Sequence, residues 1–142
     1  MIAILGVTFM SLWILHRNWS GGAVFFTAAL LFIVTFVFSV HMHERYLFPA
    51  LLFLLAAAIL IKSDKGRKSL LVLYAVFSAT LFINCADVLL MSYEMRLFVI
   101  GQPLSEVFMP IDEAMALVSF VNVIMAVYAL RIGWDFVHEQ KH

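Results

Sequence analysis

Five polar or ionisable side chains lie within six consecutive residues, between two long apolar stretches. They are His41, His43, Glu44, Arg45 and Tyr46. Arginine presents a planar fork of donors that suits a phosphate group, and histidine and tyrosine add further hydrogen bonds. The cluster therefore indicates a site for an anionic phosphate group. A charged anchor at a membrane surface, with Arg45 paired to Glu44, is the alternative interpretation.

The same residues are weaker candidates for metal binding. His41 and His43 are two residues apart with Glu44 adjacent, but the sequence offers no second ligand cluster on another helix. Haem held by two histidines would need ligands at matched depth on facing helices. We therefore expect no metal and no cofactor, since the other histidines fall on the opposite membrane side in the topology below: His16, His138 and His142.

The composition indicates that lipid is the solvent of this chain. Its 142 residues are 65% hydrophobic and 13% charged, against about 45–50% and about 25% in soluble domains. A soluble body of 16.1 kDa with a mean hydropathy of +1.04 would leave much of this apolar surface in water. Nine basic residues balance nine acidic ones, which argues against nucleic acid as a partner and against intrinsic disorder.

The apolar stretches predict an all-α bundle of five membrane-spanning helices within one unit, 1–142. A span needs about 20 predominantly apolar residues. Between the fourth and fifth spans, we expect a segment at about 89–111 to lie along the membrane interface. Its part from Ser92 to Leu97 alternates polar and apolar residues, which suits an extended piece or a continuing helix equally. Pro110 and Asp112 indicate the start of the fifth helix. The predicted spans are about 1–15, 20–40, 45–61, 69–88 and 112–131.

The distribution of lysine and arginine predicts the orientation. Basic residues in short loops favour the cytoplasmic side, and an amino terminus outside the cell leaves only Arg45 and Arg96 on the outer side. The carboxyl terminus is then inside, and His41–Tyr46 lies on the extracytoplasmic face. The basic residues assigned to the cytoplasmic side are Arg17, Lys62, Lys65, Arg67, Lys68, Arg131 and Lys141.

The run Phe-Ser-Val-His-Met-His-Glu-Arg-Tyr-Leu-Phe-Pro-Ala-Leu at 38–51 resembles a family signature. The motif His-Glu-Arg-Tyr-x-x-Pro, here His43 to Pro49, is typical of the carboxyl-terminal half of bacterial polytopic glycosyltransferases of the GT-C type. These enzymes use polyprenyl-phosphate sugars and are related to protein mannosyltransferases. The resemblance covers about 25–90, including a helix with Asn84 that is similar to an asparagine-containing helix of those proteins.

This resemblance implies transfer of a sugar from a polyprenyl-phosphate donor on the outer face of a bacterial plasma membrane, by a multi-pass protein. Arg45, with His43, would neutralise the donor phosphate as it leaves. Glu44 would orient them, and Tyr46 with Pro49 would fix the entry of the next helix. His41 and Asn84 are supporting residues in this comparison.

The chain also departs from the family pattern. Such enzymes have about nine or more spans, and their catalytic carboxylate lies in the first extracytoplasmic loop. We therefore expect this chain to be a carboxyl-terminal membrane portion without the catalytic base, inactive alone, which a partner subunit or a missing amino-terminal half completes. A non-enzymatic membrane scaffold or adaptor remains the alternative. The outer-side carboxylates, none of which stands in the corresponding place, are Asp87, Glu94, Glu106, Asp112 and Glu113.

Overall fold

The protein is a bundle of α-helices in the part of the chain that the computed structural model describes, residues 2–38, 47–99 and 111–138. Side chains are described for 4–38, 47–89 and 115–137. No strand occurs among these residues, and the predicted all-α class is confirmed. The helices are α1 (Ile2–Arg17), α2 (Gly21–Phe38), α3 (Phe48–Leu60), α4 (Asp64–Val99) and α5 (Ile111–His138).

Three of these helices are long and apolar enough to cross a membrane. The qualifying stretches are Gly21–Phe38, Asp64–Leu89 and Met115–Val137. The apolar parts of the other two, Ile4–Arg17 and Phe48–Leu60, are shorter. At a rise of 1.5 Å per residue, the 13 residues of α3 extend only about 20 Å, against a hydrocarbon core of about 30 Å. The described part of the chain therefore has three helices of spanning length and two short apolar ones, whereas the sequence predicts five spans.

Consecutive helices run up and down, so that their ends meet at two opposite ends of the bundle. The start of α2 lies beside the end of α3, since a Cβ on Gly22 would be 3.4 Å from the backbone nitrogen of Ile61. The carboxyl-terminal part of α5 lies beside α1, where Trp13 and Trp134 meet edge to face at 5.9 Å between ring centroids. The connections from α1 to α2 and from α3 to α4 are short, because antiparallel neighbours need only a few residues between them.

Gly21 and Gly22 lie at the start of the second predicted span, 20–40. They form the first turn of α2 itself. A Cβ on Gly21 would be 3.3 Å from Leu60 Cδ1, so the lack of side chains allows α2 and the end of α3 to approach closely. The turn that precedes α2 is supplied by Ser20, whose Oγ accepts a hydrogen bond from the Ala23 backbone at 3.3 Å, as helix-capping serines do.

A serine also caps the helix that follows the turn between α3 and α4. The Ser63 Oγ accepts a hydrogen bond from the Gly66 backbone N–H at 3.3 Å. Arg67 then reaches back and donates to the Ile61 carbonyl oxygen at 3.3 Å, which satisfies an acceptor at the carboxyl end of α3. Its exposed ion pair with Asp64 at 3.3 Å contributes little, because surface pairs are worth about 0–1 kcal/mol. Capping and backbone contacts define this hairpin.

Helix α2 is the centre of the bundle and contacts α1, α3 and α5. Its Phe26 side chain is fully buried and stacks on Phe136 of α5, with 5.0 Å between ring centroids and 13° between planes. On the other side of α2, Phe25 and Phe32 both pack near Phe53 of α3. Aromatic contacts of this kind add specific geometry to apolar packing, and they link α3 and α5 to α2.

Helix α4 continues as a helix through Val99, so the helical alternative for Ser92–Leu97 is the one observed. The start of the predicted interfacial segment at 89 therefore lies within α4, whereas residues 100–110 lie outside the described chain. Helix α5 begins at Ile111, directly after Pro110, as the sequence predicts.

Basic residues concentrate at one end of the bundle, where α1 and α3 end and α4 begins. Residues 2–38, 47–99 and 111–138 contain seven lysines and arginines. Among them, only Arg96 lies far from this end, near the carboxyl end of α4. This charge asymmetry distinguishes a basic end of the bundle from an opposite end. The six residues at or near the basic end are Arg17, Lys62, Lys65, Arg67, Lys68 and Arg131.

Candidate functional site

The predicted phosphate site lies outside the described residues, which resume at Leu47. This applies to His41, His43, Glu44, Arg45 and Tyr46. Leu47 is fully buried and directly precedes α3. The amino end of α3 lies at the end of the bundle opposite the basic end.

Pro49 occupies the first turn of α3, at the N1 or N2 position. A proline suits this place because its missing N–H would have no partner in the helix and its fixed φ is already helical. The residue before the helix, Leu47, makes no side-chain cap. Pro49, three residues after Tyr46, therefore helps to define where α3 begins.

Asn84, a supporting residue in the family resemblance, lines a cavity of about 280 Å³ between α2, α4 and α5. Asn84 and Val88 form the α4 wall, and Phe36 and Val37 form the α2 wall at the carboxyl end of that helix. The α5 wall is formed by Met115, Ser119, Asn122 and Val123. The cavity thus lies toward the end of the bundle opposite the basic end.

Asn122 and Ser119 are site residues that the sequence interpretation does not single out. They are three residues apart on α5 and so lie on neighbouring turns of one face. The signal available in the sequence is a polar pair within the apolar stretch Met115–Val137. That signal is weak, because asparagine and serine in membrane helices often serve only to join helices by hydrogen bonds. Their common cavity with Asn84 appears only when α4 and α5 pack.

The amide of Asn122 is buried, with only 5% of the residue exposed. Its Oδ1 atom has no hydrogen-bond donor among the described residues, and the same is true of Ser11 Oγ in α1. A serine hydroxyl in a helix can turn to its own backbone at small cost, whereas a buried amide oxygen without a donor costs about 1–3 kcal/mol. Asn122 is therefore the described polar side chain whose environment most needs an additional partner.

The cavity lining carries no charge among the described side chains. Asp87 follows Asn84 by three residues and is partly buried, but it is not part of the lining. The described part of the chain also contains no group of three or more histidine, cysteine or carboxylate side chains that is arranged to hold a metal ion. The walls are apolar apart from two amides and a hydroxyl, so the cavity suits a neutral group with hydrogen-bonding capacity.

Comparison of this chain with protein-family models, curated proteins and solved structures finds no match.

Proposed function

We propose that this chain is the carboxyl-terminal membrane portion of a glycosyltransferase that takes a sugar from a polyprenyl-phosphate donor. The cluster at 41–46 contacts the donor phosphate on the extracytoplasmic face of a bacterial plasma membrane. The observation that best supports this is the position of Pro49 in the first turn of α3, within a bundle of apolar helices. In the sequence, Pro49 closes the motif that begins at His43.

In this proposal the chemistry is electrostatic. The guanidinium of Arg45 and the imidazole of His43 donate to the phosphate, whose negative charge grows as the bond to the sugar breaks. Glu44 orients these donors, and Tyr46 adds a hydroxyl at the headgroup level. The acceptor hydroxyl still needs a general base within hydrogen-bond reach, which a partner subunit or an amino-terminal half supplies. The chain contributes donor binding and leaving-group stabilisation.

The orientation that this function requires has the basic end in the cytoplasm and the cluster outside. Six basic residues lie at or near one end of the described bundle, and short basic loops are retained on the cytoplasmic side. We therefore expect a cysteine at Gln102 to react with a membrane-impermeant maleimide in intact cells, and a cysteine at Lys65 to react only after the membrane is opened.

Both variants are made in a Cys85→Ser background, since Cys85 is the single cysteine of the chain. The Cys85→Ser protein without an added cysteine gives the blank, and a permeant maleimide shows that both sites are reactive. Labelling of Lys65→Cys in intact cells, with Gln102→Cys protected, would reverse the orientation. That result would contradict an extracytoplasmic phosphate site.

Donor-phosphate binding tests the function itself. We expect Arg45→Ala to weaken binding of undecaprenyl phosphate to the purified chain at least tenfold, because one charge-assisted donor fork is lost. Arg45→Lys should restore only part of the affinity, since lysine keeps the charge but not the bidentate geometry. Binding is measured by native mass spectrometry at increasing lipid concentration, in a detergent that carries no phosphate.

Arg96→Ala is the matched control, because Arg96 is the other arginine predicted on the outer side. It should leave the affinity within about twofold of the parent. Equal affinities of the parent and Arg45→Ala, with normal membrane insertion of both, would overturn the donor-site proposal. That outcome would favour the membrane scaffold instead.

A further inference from the structure

We propose that the cavity between α2, α4 and α5 binds a neutral, polyhydroxylated group, in the size range of a monosaccharide. The proposal rests on the cavity alone and not on the cluster at 41–46. Three polar side chains from two helices meet there, Asn84 from α4 with Ser119 and Asn122 from α5. The residues of the predicted phosphate cluster enter neither the lining nor the argument.

The polar groups of the lining favour hydroxyl-bearing ligands. An amide offers two N–H donors and a carbonyl acceptor, and a serine hydroxyl both donates and accepts. An alcohol group also donates and accepts, so several hydroxyls on one ligand can match three such side chains at once. A charged ligand is disfavoured, because the described lining contains no opposite charge to offset its loss of water.

Asn122 supplies the strongest single observation. Its Oδ1 atom is buried and lacks a donor among the described residues, although the residue forms part of the cavity wall. The terminal torsion of an asparagine side chain is soft, so a modest rotation allows either end of the amide to meet a ligand. A hydroxyl on the ligand would provide the donor that this oxygen lacks among the described residues.

The size and walls of the cavity agree with this class of ligand. Its volume of about 280 Å³ is close to the lower end of small-molecule pockets, which begin at about 300 Å³. Phe36, Val88 and Val123 provide apolar surface for the C–H faces that a sugar ring presents between its hydroxyls. The cavity is open at the surface of the bundle, where Ser119 and Val123 are exposed, so either a free or a lipid-attached sugar can enter it.

The test uses the three asparagines of the chain as reporters. Asn84 and Asn122 line the cavity, whereas Asn18 lies in the turn after α1. With asparagine labelled selectively with ¹⁵N, octyl glucoside below its critical micelle concentration should shift the side-chain amide signals of Asn84 and Asn122 and leave Asn18 unchanged. The protein is held in a detergent without a sugar head, and octyl tetraoxyethylene controls for the alkyl chain.

Free glucose and mannose form the second arm. Shifts with the free sugars support a ligand that arrives from water, and shifts with octyl glucoside alone support a lipid-attached one. No shift at Asn84 and Asn122 with any of these probes overturns the proposal. The same shifts with octyl tetraoxyethylene would also overturn it, because the alkyl chain would then account for them.

Asn122→Leu is the decisive variant. Leucine fills a similar volume without a polar group, so we expect the protein to fold with unchanged or higher thermal stability and to bind the sugar probe at least tenfold more weakly at Asn84. Ser11→Ala is the control, since Ser11 is the other buried side chain without a partner and lies in α1, away from the cavity. Unchanged affinity in Asn122→Leu overturns the proposal.

The two binding proposals fail independently. Undecaprenyl phosphate has a phosphate but no sugar, and octyl glucoside has a sugar but no phosphate. Loss of the first interaction alone would remove the proposed donor-phosphate site and leave the cavity proposal intact. Loss of the second alone would do the reverse.

Discussion

Phe26→Ala is expected to lower the free energy of unfolding by about 2–3 kcal/mol. The side chain is fully buried in α2 and stacks on Phe136 at 5.0 Å. In a membrane the unfolded helices keep their phenylalanines in lipid, so little transfer energy from water is at stake. The main cost is the void that the lost phenyl ring leaves, since a void of roughly 100 Å³ costs about 24 cal/mol per Å³.

Phe82→Ala is the control for this substitution. Phe82 lies on α4 and is 74% exposed, so its truncation leaves no internal void and should change stability by less than about 0.5 kcal/mol. Both variants are compared by reversible unfolding in mixed micelles, followed by circular dichroism. A similar loss in the two variants would mean that α2 is not the packed centre of the bundle.

Gly133→Leu is expected to destabilise the protein by about 1–3 kcal/mol. A Cβ at this position of α5 would lie 3.1 Å from Ile14 Cδ1 and 3.4 Å from Phe26 Cε1. It would also come within 2.7 Å of Met10 Cε. Met10 can move because its side chain is flexible, but a full leucine side chain would have to displace α1 from α5.

Gly6→Leu is the matched substitution. Gly6 lies inside α1, and a Cβ there would meet no atom within 4 Å. Because leucine favours the helix more than glycine by nearly 1 kcal/mol, this variant should be neutral or more stable. Thermal unfolding of the two leucine variants side by side gives the comparison. If Gly133→Leu were as stable as Gly6→Leu, the close contact of α1, α2 and α5 would be wrong.

The two short helices explain a difference between the predicted and observed architecture. Apolar content predicts membrane spans at about 1–15 and 45–61, whereas α1 and α3, with 16 and 13 residues, are shorter than a usual span. The sequence-based third span begins at 45, whereas α3 begins at Phe48 with Pro49 in its first turn. A count of apolar residues identifies the segments that can lie in lipid. It does not specify where a helix starts, because local capping and the geometry of proline determine the first helical residue.

Some residues of the candidate sites can be recognised in the sequence, and others cannot. Arg45 and its neighbours stand out in the sequence because five polar side chains in six residues are exceptional beside apolar helices. Asn84 is singled out by its resemblance to an asparagine-containing helix of the glycosyltransferases. Asn122 and Ser119 carry no comparable local signal, since single polar residues in apolar helices usually serve helix packing.

By itself, the sequence determined the all-helical class, the membrane character and the concentration of basic residues at alternate turns. These properties depend on composition and on neighbours along the chain, which a linear pattern records. Only the tertiary structure decided that α2 is central, that Gly133 must remain small, and that Asn84 and Asn122 share one cavity. Such facts depend on which faces of distant helices meet, and van der Waals packing between whole helices selects those faces.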